Sequence, residues 1–382
     1  MTNKHIKYIA FYSNDIIGSQ NRQMAISATN KIDYICSALK KNNYEVDLIS
    51  PSWTNNNRGF HKGEVIDTRD GITIRTFASF GAKYRIQRIC KYIFSLSQLL
   101  FFLLVNTKNG EPIVVYHSLS LSLPIRIVKY FKKVKVILEV EEIYQDVQSH
   151  SEYMTKSEYK IFKSADGFIF STELLNNKIN KTNKTYITIN GTYQVEQDRK
   201  CKFNDGKVHV VYAGTFDPRK GGGLAAAAAS AYLPKNYHVH IIGFGSSDDT
   251  YMLLKKIDEI SKKTEATITY DGLLSGEEYI QFLQKCDIGL STQIPEAAYN
   301  ETSFPSKILS YMANGLRVVS IRIKAIEISE VGHAVYYYEE PTPEAIANAI
   351  ISIDLNELYE SRELIRKLDV NFTQSIKKLL EV

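Results

Sequence analysis

Eleven residues in the middle of the chain, Ala213-Gly214-Thr215-Phe216-Asp217-Pro218-Arg219-Lys220-Gly221-Gly222-Gly223, carry three consecutive glycines and two cations and lead into an alanine-rich stretch. A Gly-rich turn that opens a helix presents free backbone N–H groups at the positive end of the helix dipole, which suits a phosphate. Arg219 and Lys220 add the charge that a diphosphate requires, and Gly221 lets the backbone approach it. The alternative is a turn that is merely flexible. Gly243 and Gly245 flank Phe244 at the end of an apolar run, where backbone can also come close to a ligand; alone, this pair is often only a tight turn. A third segment, Asn300-Glu301-Thr302-Ser303-Phe304-Pro305-Ser306-Lys307, places Pro305 at an expected helix start, freeing N–H groups there. Lys307 in a first helical turn opposes the dipole unless an anion shares that end, or unless it is simply solvated. His117 closes the run IVVYH and is a candidate to orient a hydroxyl, with a satisfied strand-end histidine as the bland alternative. Asp248-Asp249 follows a glycine turn but has no placed partner, so no metal site is expected.

The 382 residues fit two domains, and 44% hydrophobic with 23% charged residues is ordinary globular composition. A net charge of +5 is too dilute for a protein that wraps nucleic acid. Cys36, Cys90, Cys201 and Cys286 lie far apart with no metal-ligand spacing, as expected of reduced thiols. The first apolar run is too short for a signal peptide, so a cytoplasmic protein is expected. The most lipid-like segment, YIFSLSQLLFFLLV at 92–105, spans about fourteen residues where a spanning helix needs about 20. A spanning role is therefore not expected, leaving a buried core helix or a helix on a bilayer surface. The preceding Lys83, Arg85, Arg88 and Lys91 suit an anionic membrane.

Positioning these residues requires strands and helices in alternation. Strand-like runs at 8–12, 46–50, 72–77, 113–117, 135–140, 167–171 and 186–190 alternate with helix patterns at 24–41, 87–105, 123–131 and 173–180. After a polar linker at 192–207 the pattern restarts, with strands at 208–214, 238–245, 268–272, 287–291, 317–321 and 334–338. Helices are expected between them at 224–232, 251–264, 276–285 and 306–314, and then at 343–353, 355–368 and 372–381. Continuous β-branched runs bounded by helices indicate parallel sheets covered on both faces. The expected fold is α/β, with two doubly wound Rossmann-like domains, 1–195 and 196–369, and a final helix near 370–382 packing back on the first. A ligand cleft is expected between them, outside the carboxyl ends of the strands. Residues 13–20, including Asn14, Gly18 and Ser19, follow the first strand and are candidates for acceptor binding.

The order of these segments resembles the family-four, retaining nucleotide-sugar glycosyltransferases of GT-B fold over nearly the whole chain. YAGTFDPRKGG sits where that family has G-R-L-x-x-x-K-G, Asn190-Gly191 resembles the NG that closes the first domain, and Asp287–Ser291 resembles the strand before the donor loop. Asp271-Gly272-Leu273-Leu274-Ser275 resembles the turn beside the nucleotide base. FPSKILSYMANGLRVVS resembles FPSKxxEYMAxGxPVV of a polysaccharide-assembly subgroup. ILEVEEIY falls where many members carry a catalytic-loop histidine, with Glu141 in the matching column.

The resemblance implies transfer of a sugar from a nucleotide-diphosphate donor to a glycan or lipid-linked acceptor in surface polysaccharide synthesis, with retention and without a metal or other cofactor. It implies donor contacts from Gly214, Thr215, Arg219, Gly221, Gly243, Gly245, Gly272, Leu273, Ser303, Phe304, Pro305, Ser306, Lys307 and Ser310. Lys220, Glu141, His117, Glu301 and Thr302 are the catalytic candidates. Three departures stand out: Thr302 and Ser310 occupy the two Glu positions of E-x7-E, and Thr215 stands where the loop has Arg. A serine brings no charge to a ribose, so donor binding is expected to be weaker or rearranged, with Glu301 one residue off register. Those losses also allow a catalytically silent partner of another transferase. A nucleotide-sugar epimerase on the same fold is a further alternative, which FPSKILSYMA argues against.

Overall fold

A computed structural model describes residues 4–13, 20–23, 26–68, 71–147, 151–199, 201–217 and 222–381. The chain divides into two compact units, Met1–Ile189 with Val370–Val382, and Asn190–Asp369, so the division falls a few residues ahead of the expected 195/196. Asn190 and Gly191 thus open the second unit, where a Cβ on Gly191 would lie 2.9 Å from Leu309.

In the first unit the strands are β1 (Lys4–Ile9), β2 (Tyr44–Ser50), β3 (Phe60–His61), β4 (Val65–Asp67), β5 (Ile72–Thr76), β6 (Ser79–Phe80), β7 (Pro112–Tyr116), β8 (Lys135–Val140), β9 (Gly167–Phe170) and β10 (Tyr186–Thr188). Its helices are α1 (Ile26–Lys41), α2 (Arg85–Asn106), α3 (Leu119–Lys132), α4 (Tyr144–Val147), α5 (Glu152–Ser164) and α6 (Glu173–Ile179). The sheet order is β10-β9-β8-β7-β1-β2-β5-β4, with the strands parallel except for β4, which runs antiparallel to β5. The expectation of an all-parallel sheet therefore fails at this edge: Val65–Asp67 has no buried face to make it legible, being exposed at both ends. β7 and β8 are nearly continuous apolar runs because helices cover both their faces.

α2 is 22 residues long rather than about fourteen, so it has the length and apolar composition to cross a membrane. The length argument against spanning does not hold. What ties α2 to its unit is its inner face: Leu99 and Leu103 are fully buried in the core, Ser95 donates to Pro51 O, and Lys91 donates to Thr54 O at 2.6 Å. Lys91 is therefore removed from the expected basic surface, and burial lowers its pKa. The apolar end is split, with Leu99 and Leu103 inside while Phe101 and Val105 are exposed.

The second unit carries β11 (Val208–Thr215), β12 (Tyr237–Phe244), β13 (Thr267–Gly272), β14 (Ile288–Ser291), β15 (Arg317–Ile321) and β16 (Val335–Tyr338). Its helices are α7 (Gly222–Ala229), α8 (Ser247–Ser261), α9 (Gly276–Lys285), α10 (Lys307–Ala313), α11 (Lys324–Glu327) and α12 (Pro343–Ile351). The sheet is parallel in the order β13-β12-β11-β14-β15-β16. Asp248 and Asp249 lie in the first turn of α8, where Asp249 and Ser246 form a reciprocal capping box. The last two expected helices are one, α13 (Ser361–Glu381). Leu368, Phe372, Ile376 and Leu379 keep a buried stripe at helical spacing across Asp369, the exposed Val370 and Asn371. Residues 355–360 form a loop instead, held by Asp354 accepting from Asn356 N and Tyr359 donating to Ala334 O. From Val370 onward α13 belongs to the first unit, with Phe372 stacked on Tyr34 at 5.6 Å. All four cysteines are free.

Candidate functional site

Ligands of doubly wound sheets bind outside the carboxyl ends of the strands, where the strand order reverses. In the second unit that point lies between β11 and β14. Gly214 and Thr215 end β11, Gly243 sits beside Gly214 on β12, and Gly272 ends β13. A Cβ at Gly243 would stand 1.9 Å from Gly214 O, and its φ is +134°, so only glycine lets these strand ends close together. Leu273 is exposed just beyond, and Gly272 at φ +84° has open space around it.

The loop from β14 to α10 closes the other side. Tyr311 is fully buried, and its Oη accepts from Ala213 N at 2.8 Å and donates to Leu290 O at 3.2 Å, fastening α10 across β11 and β14. Gly289 is required beneath it, because a Cβ there would lie 2.3 Å from the Tyr311 ring. This anchoring brings Lys307, the first residue of α10, over the Tyr212 ring at 4.2 Å and against Gly214, where a Cβ would meet Nζ at 2.9 Å. Tyr212 in turn donates to Thr215 O at 2.9 Å, and Thr292 donates to Gly222 O at 2.9 Å. The FPSK lysine and the glycine-rich strand end thus converge at the switch point.

Four side-chain atoms after β14 or at its end are buried without a hydrogen-bond partner among the described residues: Ser291 Oγ, Gln293 Nε2, Tyr299 Oη and Thr302 Oγ1. Buried polar atoms normally find partners, so these mark a place where a polar ligand or water would be accepted. Thr302 itself is fully buried. Ser303 donates to Tyr299 O at 2.7 Å, Ser310 of α10 pairs with Tyr279 Oη of α9 at 3.2 Å, and Phe304 is buried. Ser306 caps α10 with its side chain unused, which puts Pro305 one residue before the cap instead of at the helix start. Glu301 is exposed, and Gly245 packs against Phe216 and Asp249. Arg219, Lys220 and Gly221 lie outside the described residues, as do Asn14, Gly18 and Ser19.

In the first unit Glu141 pairs with the buried Lys31, which also donates to Ile189 O at 3.0 Å. Two residues earlier, Glu139 is fully buried and accepts from Tyr8 Oη. Burial raises the Glu139 carboxyl far above the usual range, Lys31 pulls it back, and the Glu141 charge adds to the rise. His117 is 2% exposed, enclosed by Tyr144 and Phe162 at 4.8 and 4.9 Å. Burial lowers it to about 3, against a backbone hydrogen bond at Glu142, so its 3.4 Å approach to Glu158 is no ion pair. The expectation that His117 meets substrate hydroxyls is corrected: it is a neutral core histidine. Lys31, Glu139, Tyr212, Tyr299 and Tyr311 went unnoticed in the sequence; only the strand spacing of Glu139 and Glu141 offered a signal.

Between Trp53, Asn55, Asn57, Ala82, Arg85 and Tyr92 the first unit also holds a cavity of about 470 Å³, reached by Arg88.

No curated protein matches the chain in sequence. Among solved structures, one from E. coli named for trehalose-6-phosphate and bound with UDP-2-fluoro glucose aligns over 99% of both chains at TM-score 0.70 and 12% identity. Sucrose-phosphate synthase from Thermosynechococcus elongatus aligns over 99% of both chains at TM-score 0.67 and 15% identity. A UDP-forming trehalose-phosphate synthase from Burkholderia xenovorans aligns over 100% of this chain and 99% of its own, at TM-score 0.67 and 11% identity. These likenesses establish the fold, two α/β units with parallel sheets of the GT-B kind. Residues 207–354 match the model of "Glycosyl transferases group 1". That segment contains the β11–β14 switch point and everything converging on it, so the second unit carries a glycosyltransferase domain.

Proposed function

We propose that the chain moves a sugar from a nucleotide-diphosphate donor to a glycan or lipid-linked acceptor in surface polysaccharide assembly, with retention and without a metal. The observation that carries this reading is Lys307 held against Gly214 at the switch point, with unpartnered polar atoms at the end of β14 and in the loop that leads to α10. A cation preorganised there meets the charge that develops on the leaving diphosphate as the sugar–phosphate bond breaks. In retention without a covalent intermediate, the acceptor oxygen attacks from the face the diphosphate leaves, and its proton passes to the departing phosphate oxygen. The UDP named with the similar structures favours a uridine donor. A panel of UDP-, GDP-, ADP- and CDP-sugars in thermal shift tests the donor; stabilisation by none of them would overturn the reading.

For the acceptor, the exposed Ile86, Ile89, Ile93 and Phe101 of α2 beside Lys83, Arg85 and Arg88 favour reversible association with an anionic membrane by a cytoplasmic enzyme. A second reading, a sugar-phosphate acceptor, is favoured by the Arg85–Arg88 cavity and by the names of the similar synthases. Product formation from a donor with glucose 6-phosphate or with a lipid-linked glycan separates the two.

A further inference from the structure

His209, near the start of β11, and His238 and His240, on β12, lie on one face of the second sheet. The parallel register pairs His209 with His238, and His240 lies two residues further along the same strand. One ring nitrogen from each comes within 4.8 Å of the other two.

Two carboxylates flank the pair formed by His209 and His240. Asp205 Oδ1 approaches His209 Nε2 at 2.9 Å, His209 Nδ1 approaches His240 Nε2 at 2.9 Å, and His240 Nδ1 approaches Asp271 Oδ2 at 3.1 Å. A carboxylate offers only lone pairs, so a ring that turns its N–H toward Asp205 or Asp271 presents its other nitrogen as a possible ligand. If the outer nitrogens donate to Asp205 and Asp271, the inner pair face each other with lone pairs. The third ring is committed in the same outward sense. Thr269 donates to Asp271 at 2.9 Å, so its Oγ1 accepts from His238 Nε2 at 3.0 Å, leaving His238 Nδ1 with a lone pair.

We propose that His209, His238 and His240 bind a zinc-like divalent cation, with Asp205 and Asp271 as the carboxylates that orient two of the ligating rings. Two strands supply three imidazoles, and histidine ligands characteristically donate their other nitrogen to a carboxylate. Tetrahedral zinc with bonds of about 2.0–2.1 Å needs nitrogens about 3.3 Å apart. The His209–His240 pair must open slightly from 2.9 Å, and His238 must turn out of its 3.8 Å stack on His240. Phe203, stacked on His209 at 4.0 Å, walls one side. The half-buried His238 and the partly exposed Asp271 leave an entry path.

The site lies five residues before Gly214 on β11, roughly 16 Å at about 3.3 Å per residue, so its role is structural. It ties β11 to β12 and holds the extra residue of β13, Asp271, at the register shift that precedes Gly272 and Leu273.

The full-length chain, stripped by a chelator and dialysed, is titrated with zinc chloride by calorimetry and with cobalt(II) by absorption. One equivalent per chain and the intense visible bands of four-coordinate cobalt are expected. The melting temperature should rise by about 5–10 °C at a hundredfold excess of zinc over its dissociation constant. His238→Ala, at the most accessible of the three positions, should weaken zinc at least tenfold while the metal-free variant melts within a few degrees of the metal-free wild type. His240→Asn should abolish binding, and Cys90→Ser should leave it unchanged. No stoichiometric zinc, or binding that survives both histidine replacements, would each overturn the proposal.

Discussion

Lys307→Met tests the switch-point site most directly, because methionine keeps the apolar stem over Tyr212 and removes only the charge. In the unliganded protein the loss includes the cation–π contact at 4.2 Å, about 0.5–1 kcal/mol. For a unit of this size each kcal/mol moves the melting temperature by about 2–4 °C, so this contact alone accounts for a drop of roughly 1–4 °C. Toward a nucleoside diphosphate the loss is larger, since a hydrogen bond to a charged group contributes about 1.5–3 kcal/mol. At about 1.4 kcal/mol per factor of ten, affinity should fall roughly 10- to 150-fold. Calorimetric titration of UDP into both proteins gives this ratio, with circular dichroism confirming the fold. A dissociation constant within threefold of the wild type would show that Lys307 serves Tyr212 and not an anion, and the argument from its position would fail.

Tyr311→Phe leaves Ala213 N–H buried without its acceptor, so thermal denaturation should show a loss of about 1–3 kcal/mol despite an almost unchanged side-chain volume. Gly243→Ala, whose Cβ would collide with Gly214 O, should destabilise far more than Gly272→Ala, which meets open space and carries only the strain of its positive φ, about 1–2 kcal/mol; equal melting shifts would contradict this packing. His117 is neutral when folded and protonates near pH 6.5 when unfolded, so the unfolded chain gains the proton first as the pH falls. Stability should be fully present above about pH 6.5 and drop by about 1.4 kcal/mol per unit between there and about 3, a slope that urea denaturation should find missing in His117→Gln. Lys83, Arg85 and Arg88 together supply roughly 3 kcal/mol of attraction to an anionic bilayer. Co-sedimentation with anionic vesicles should therefore fade in 1 M salt and in the triple Glu variant, and equal binding by that variant would remove the membrane reading.

Most of the element order was legible because parallel strands buried on both faces are written as unbroken runs such as PIVVY and KVILEV, and the helices between them as spaced apolar residues. The 213–223 turn and the FPSK loop suggest a phosphate site for the same local reason, since glycine, proline and lysine act through the backbone positions they occupy. What the sequence could not convey is which of those residues are already spoken for. Lys91 reads as surface charge until Thr54 O is found beneath it, and His117 reads as chemistry until its pocket closes around it. Each depends on a contact between residues distant along the chain, which no local pattern encodes. The same is true of Lys307 against Gly214 and of His209 against His240: the sequence supplied the groups, and the parallel register of β11 with its neighbours decided which of them meet.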